Sequence, residues 1–131
     1  MIVVDASVLA NALADDGVAG GVARTVLRGQ TSINAPALID VETVSVLRRL
    51  WLAGSLSDSR FGRAVDDLTT LPIIRHSMTR LVHRAFALRS NATAYDAMYV
   101  ALAEVLACTL VTRDRRLASA PGVRCRVEIV S

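Results

Sequence analysis

The chain opens on four apolar residues, Met1, Ile2, Val3 and Val4, and then sets down an aspartate, Asp5. A strand with one wet face alternates apolar and polar residues, whereas an unbroken apolar run suits a strand covered on both faces. Such strands belong to parallel sheets, whose crossover connections lay helices over each side. These first residues therefore restrict the fold more than any other segment. The rest of the chain repeats the alternation they require. Strand-like runs fall at Thr31–Ala35, Leu71–Arg75, Thr109–Thr112 and Arg124–Val130. Helical patterns separate them. They cover Ala6–Ala14, a segment ending near Arg28 after the Asp15-Asp16-Gly17 turn, and a long helix that Pro36 opens and Gly54 stops. Further helices are capped by Ser57 or Asp58 and run to about Leu68, or cover Met78–Leu88, Thr93–Ala107 and, as a short turn, Arg115–Ser119. The reading is an α/β fold around a mostly parallel sheet.

A chain of 131 residues without repeats or a linker is expected to form one domain, residues 1–131. Its longest apolar segment, Ala97–Ala107, is interrupted by Glu104 and is too short to span a bilayer, so no membrane role is expected. The start lacks a basic region before its apolar residues, which argues against a signal peptide and for a cytoplasmic protein. Cys108 and Cys125 form no CxxC or Cys/His pattern and read as buried thiols. All fifteen basic residues are arginine. Without lysine the chain has no P-loop, which excludes that class of ATPase.

The acids carry more information. Of the twelve, Asp66 and Asp67 follow Arg63 at helical spacing and read as its ion-pair partners. Asp15, Asp16 and Asp58 mark turns or caps, and Glu128 alternates outward in the last strand. Glu104 lacks a basic helical neighbour but lies near the far end of its helix and reads as a surface residue. Four others are placed differently. Asp5 ends the first strand, and Asp114 follows the Thr109–Thr112 strand by two residues. Both should therefore stand at the carboxyl edge of the sheet, where open α/β folds bind ligands; each also reads as a cap for the helix that follows. Glu42, about two turns into the Pro36 helix, has only Leu38, Ile39, Ser45 and Val46 at helical spacing. Asp96 has Ala92, Thr93, Tyr99 and Val100, with Thr93 as a capping partner. Four carboxylates at one edge repel one another by about 4 kcal/mol per pair at 4 Å and an effective dielectric of 20. They persist if they bind protons or a cation. Hard oxygen donors favour Mg²⁺ or Mn²⁺ over zinc, and that chemistry suits phosphodiester hydrolysis.

Taken in order, VVDASVL, Glu42 within DVETVSVLRRL, AYDAMYVALAE and LVTRDRRL resemble PIN-domain ribonucleases, specifically the VapC-type toxins of toxin–antitoxin pairs. The resemblance spans essentially the whole chain. It implies a three-layer α/β/α PIN-like domain with a central, mostly parallel sheet of four to five strands. It also implies a Mg²⁺-dependent endoribonuclease, with Mn²⁺ as a substitute, that hydrolyses RNA with metal-activated water in a pocket of Asp5, Glu42, Asp96 and Asp114. In that pattern Asp5 and Asp96 hold the principal ion. Glu42 and Asp114 act through water, orient the nucleophile or complete a second metal site. Thr112 matches a hydroxyl position beside the last acid and Ser7 is placed to act likewise, although either is equally a local turn or cap hydroxyl. A homodimer, a cognate VapB-type antitoxin that blocks the site, DNA contact only through that antitoxin, and larger toxin–antitoxin assemblies are further implications.

Arg113, Arg115 and Arg116 flank Asp114 and are the nearer candidates for RNA contact. Arg75, Arg80, Arg84 and Arg89, with His76 and His83, form an acid-free basic stretch that reads either as an RNA track or, more simply, as a solvated helix face. Trp51 reads as core packing or as a partner anchor. Two other functions compete with the ribonuclease. A haloacid-dehalogenase-like phosphatase or phosphoacceptor domain is opposed by Ser7, where the former pattern wants a second Asp, and by the missing lysine. A non-catalytic PIN-like module that binds RNA or protein is opposed by the four intact acids.

Overall fold

The computed structural model describes residues 1–130. Five strands, β1 (Ile2–Val4), β2 (Ile33–Pro36), β3 (Ile73–His76), β4 (Thr109–Thr112) and β5 (Val127–Ile129), form one sheet in the order β3-β2-β1-β4-β5. Every pairing is parallel. β1 is central, with Ile2 in register with Ile33 on one side and Thr109 on the other.

All three β1 side chains are buried, and they divide between two cores. Val3 packs with Leu110 and with Ala97, Val100 and Ala101 of helix α6 (Ala94–Leu106). Ile2 and Val4 face Val8 of α1 (Ala6–Ala14) and Ala23 of α2 (Val18–Arg28). Helices thus cover both faces, as the unbroken apolar run requires. Helices α3 (Ile39–Leu52) and α4 (Asp58–Thr70) pack against α1, and α5 (Val82–Ala87) packs against α6. A short helix, α7 (Arg115–Ala118), leads into β5. Among the described residues no helix is long and apolar enough to cross a membrane.

Several boundaries differ from the sequence reading. Pro36 does not open a helix; it ends β2, opposite His76, and the Ala37 N–H donates to the His76 carbonyl at 2.8 Å. Proline is tolerated at that strand end because it has no N–H to donate. Helix α3 therefore starts at Ile39, and Glu42 stands in its first turn, not two turns in. The segment expected as one helix over Met78–Leu88 is a 3-10 turn, Thr79–Leu81, followed by α5. The tighter turn brings Leu81, Ala85 and Leu88 inward together. The last strand begins at Val127 rather than Arg124, whose N–H donates instead to the Glu104 carboxylate at 2.8 Å.

Candidate active site

Asp5 and Asp114 each do two things that the sequence presents as alternatives. The Asp5 carboxylate caps α1, accepting the Val8 N–H at 3.2 Å, and Asp114 caps α7, accepting the Arg116 N–H at 3.0 Å. Because β1 and β4 are parallel neighbours, both caps stand at one sheet edge, where the strand order turns outward from β1 in both directions. Asp96 and Glu42 reach the same place from the first turns of α6 and α3. Thr93 caps α6, its hydroxyl oxygen accepting the Asp96 N–H at 3.1 Å. All four carboxylates line one open cleft. A smaller hollow, lined by Asn91, Thr93, Leu117 and Ala120, adjoins it at Asp96 and Asp114.

Two hydroxyls lock the geometry of Asp5. Ser7 donates to Asp5 Oδ1 at 2.6 Å, and the fully buried Thr112 donates to Oδ2. Each hydroxyl oxygen also accepts from the β4–α7 loop. Thr112 Oγ1 takes the Asp114 N–H at 3.0 Å, and Ser7 Oγ takes the Arg113 N–H at 3.3 Å. The ends of β1 and β4 are thereby tied together through Asp5.

The electrostatics are those of crowded, half-buried acids. Burial pushes Asp5 up from its ordinary value, outweighing the hydroxyls that donate to it. Glu42 is raised by burial and then by the charges of Asp96 and Asp5. Asp96 is raised by burial, then by Asp114 and Asp5. Asp114 is the exception: hydrogen bonds from Arg116, at 3.2 Å from Nε and 3.1 Å from Nη2, hold it down. Among the described residues three buried side-chain oxygens have no hydrogen-bond partner at bonding distance, Glu42 Oε1, Thr43 Oγ1 and the Tyr99 hydroxyl, although the Tyr99 phenol lies near enough to Glu42 to oppose part of its rise. The Tyr99 phenol is held far above its usual range by burial, then by the charges of Glu42 and Asp5. An unpartnered buried carboxylate oxygen is costly unless a ligand meets it.

Hard oxygen donors, mutual repulsion and the orphaned Glu42 oxygen fit a divalent cation of the Mg²⁺ class. The set is not closed, however. As the side chains stand, no three His, Cys, Asp or Glu groups among the described residues are arranged to hold a metal ion. Both Asp5 oxygens are engaged by hydroxyls and Asp114 is drawn toward Arg116, so closure needs side-chain rotation.

The other expectations divide. Arg113 lines the cleft; Arg116 is bound to Asp114; Arg115 is exposed and lines neither hollow. The Arg75–Arg89 stretch is not a free track, since Arg75 grips Asp40 at 2.8 Å and Arg84 grips Glu104 at 2.6 Å. Glu104 is therefore no loose surface acid: Arg84 and the Arg124 N–H hold it below its ordinary value against the effect of burial. Asp66 and Asp67 make no ion pair with Arg63 among the described residues. Trp51 is partly exposed, donating its indole N–H to Asp58 at 2.6 Å and lying beside Phe61. Arg49 and Tyr99 also line the acid cleft, and the sequence reading assigned neither to a site. Their signal was helical spacing: Arg49 is seven residues after Glu42 and Tyr99 three after Asp96.

The chain matches the PIN domain family over residues 2–123. It is 42% identical to Ribonuclease VapC1 of Mycobacterium tuberculosis over 129 residues, covering 98% of this chain and 96% of that protein. Its fold is similar to that of PAE2754 from Pyrobaculum aerophilum, with a TM-score of 0.67, 22% identity and coverage of 90% and 84% of the two chains. A chain of a toxin–antitoxin complex from Klebsiella pneumoniae superposes with a TM-score of 0.62 at 17% identity, over 100% of this chain and 98% of its own length.

Proposed function

The chain belongs to the PIN-domain family, among its VapC-type ribonucleases, and from that premise we propose that it is an endoribonuclease, dependent on Mg²⁺ or Mn²⁺, serving as the toxin of a toxin–antitoxin pair. One observation carries the reading. Asp5, Glu42, Asp96 and Asp114 line a single cleft at the carboxyl edge of the sheet, and Glu42 keeps a buried oxygen there without a partner. Asp5 and Asp96 would hold the ion, with Glu42 and Asp114 nearer the attacking water. When bound, a divalent ion activates water and offsets charge on the phosphate. The chain itself supplies carboxylates on three helix starts and one strand end, with Asp5 aimed by the Ser7 and Thr112 hydroxyls. A bound ion would favour the ionised forms of Asp5, Glu42 and Asp96, and Glu42 as a carboxylate would accept a proton from water. The proposal extends to one PIN domain over residues 1–131, to a homodimer, and to a cognate VapB-type antitoxin. The exposed Leu50, Trp51 and Leu52 give such a partner apolar surface to cover.

Asp5→Asn and Asp96→Asn each lower Mg²⁺-dependent RNA cleavage by a factor on the order of 100 or more, with circular dichroism unchanged. Full cleavage by a clean Asp96→Asn preparation would falsify the mechanism. A non-catalytic RNA- or protein-binding module is favoured by one feature, the open carboxylate set. Absence of both Mn²⁺ binding in calorimetry and cleavage of total RNA would select it.

A further inference from the structure

Several arginines are already engaged. Arg60, Arg75, Arg84 and Arg116 each hold a carboxylate, and Arg24 donates to the Ala12 and Asp15 carbonyls. Arg49 and Arg113 differ: both line the cleft with the four acids, both are exposed, and neither guanidinium forms an ion pair among the described residues. They come from different elements that line the cleft. Arg113 sits on the β4–α7 loop, pinned by its N–H to Ser7, directly before Asp114. Arg49 projects from α3 on the face that carries Glu42 and Val46, at positions i, i+4 and i+7. Seven residues along a helix is roughly 10 Å, so Arg49 lies outside the carboxylate cluster. A free guanidinium there suits the phosphate beside the one being cleaved.

Resting on the ribonuclease reading above, we propose that Arg49 and Arg113 form a two-sided phosphate clamp. Single-stranded RNA then crosses the cleft from the α3 wall to the β4–α7 wall, with flanking phosphates forked by the two arginines and the scissile phosphate over the acids between them. The acids repel an RNA backbone, so binding needs cations of this kind beyond the metal. Arg49 acts in substrate binding and has no role at the reacting atoms.

The test is steady-state cleavage of a short single-stranded RNA by wild type, Arg49→Ala and Arg49→Lys. Arg49→Ala raises KM on the order of tenfold with kcat nearly kept. It also reduces the slope of log kcat/KM against log salt by about 0.7 to 1. Arg49→Lys restores the slope and much of KM, and Mn²⁺ affinity by calorimetry is unchanged in both variants. An unaltered KM and salt slope in Arg49→Ala overturns the clamp. So does a variant that cleaves normally but escapes its antitoxin, which makes Arg49 a protein-docking residue. If wild type cleaves no RNA in Mg²⁺, the ribonuclease reading fails separately. Fluorescence anisotropy of RNA binding in EDTA then decides the clamp: weaker, less salt-sensitive binding by Arg49→Ala supports it, and equal binding refutes it.

Discussion

Asp114 is contested between its neighbours. It caps α7, it faces Asp96 across the cleft, and its oxygens take two hydrogen bonds from Arg116, whose side chain is 91% exposed. A guanidinium in water holds a carboxylate only weakly, so an entering cation competes for Asp114 on favourable terms. Removing that competitor, Arg116→Ala, tightens Mn²⁺ binding by roughly two- to fivefold at low salt, measured by isothermal titration. Equal affinity would mean that Arg116 neither repels the ion nor restrains Asp114. The sequence put three arginines around Asp114 but could not say which one folds back onto it. Glu104 marks the same limit from the other side. Counting helical neighbours left both Glu42 and Glu104 without a basic partner, yet Glu104 finds Arg84, twenty residues earlier in the chain, and Glu42 finds no basic partner among the described residues. Local spacing sees partners three or four residues away and no others.

Among elements, α6 was legible almost to the residue, because Thr93 caps it and its middle, from Ala97 to Ala103, is buried nearly all round. The start of α3 was not, because proline serves a strand end as well as a first helical turn, and only pairing with β3 decides. Glycine shows the same dependence on neighbours. At Gly20 in α2, an added Cβ would lie 1.8 Å from the Asp15 carbonyl oxygen, so α2 closes against the end of α1 only because no side chain intervenes. At Gly62 in α4, nothing lies within 4 Å. Gly20→Ala should therefore lower stability by about 1–3 kcal/mol, while Gly62→Ala raises it by about 0.5–1 kcal/mol. Urea titrations of the two variants check this pair; a shift of the same sign in both would contradict the packing described.

For the whole molecule, the acids set a pH dependence. Asp5, Glu42 and Asp96 are held above their ordinary values, so the folded chain binds their protons more tightly than the unfolded chain does. Their contribution to stability is therefore fullest below the ordinary carboxylate range and is lost as pH rises through the folded values. Glu104 and Asp114, held low, stabilise above that range and lose their effect as pH falls through their folded values. In EDTA, Tm should be higher near pH 5 than at pH 7.5. Mg²⁺ should reverse the order, since it binds the deprotonated set and adds about 2.7 kcal/mol at a hundred times Kd. Differential scanning calorimetry at both pH values reads this directly, and a flat profile in EDTA would contradict it. The strand order has a consequence in time as well as in space. The bond from Thr112 to Asp5 joins residues 107 apart, and β4 pairs with β1 over a similar separation. Closing so long a segment costs on the order of 4 kcal/mol of chain entropy. It also requires the chain to have been synthesised past β4. A nascent chain can carry Asp5, Glu42 and Asp96 well before it has Asp114 or the β4 edge that aligns them. The cleft is therefore completed only once β4 and Asp114 have emerged, and a ribosome still short of them carries an unfinished cleft.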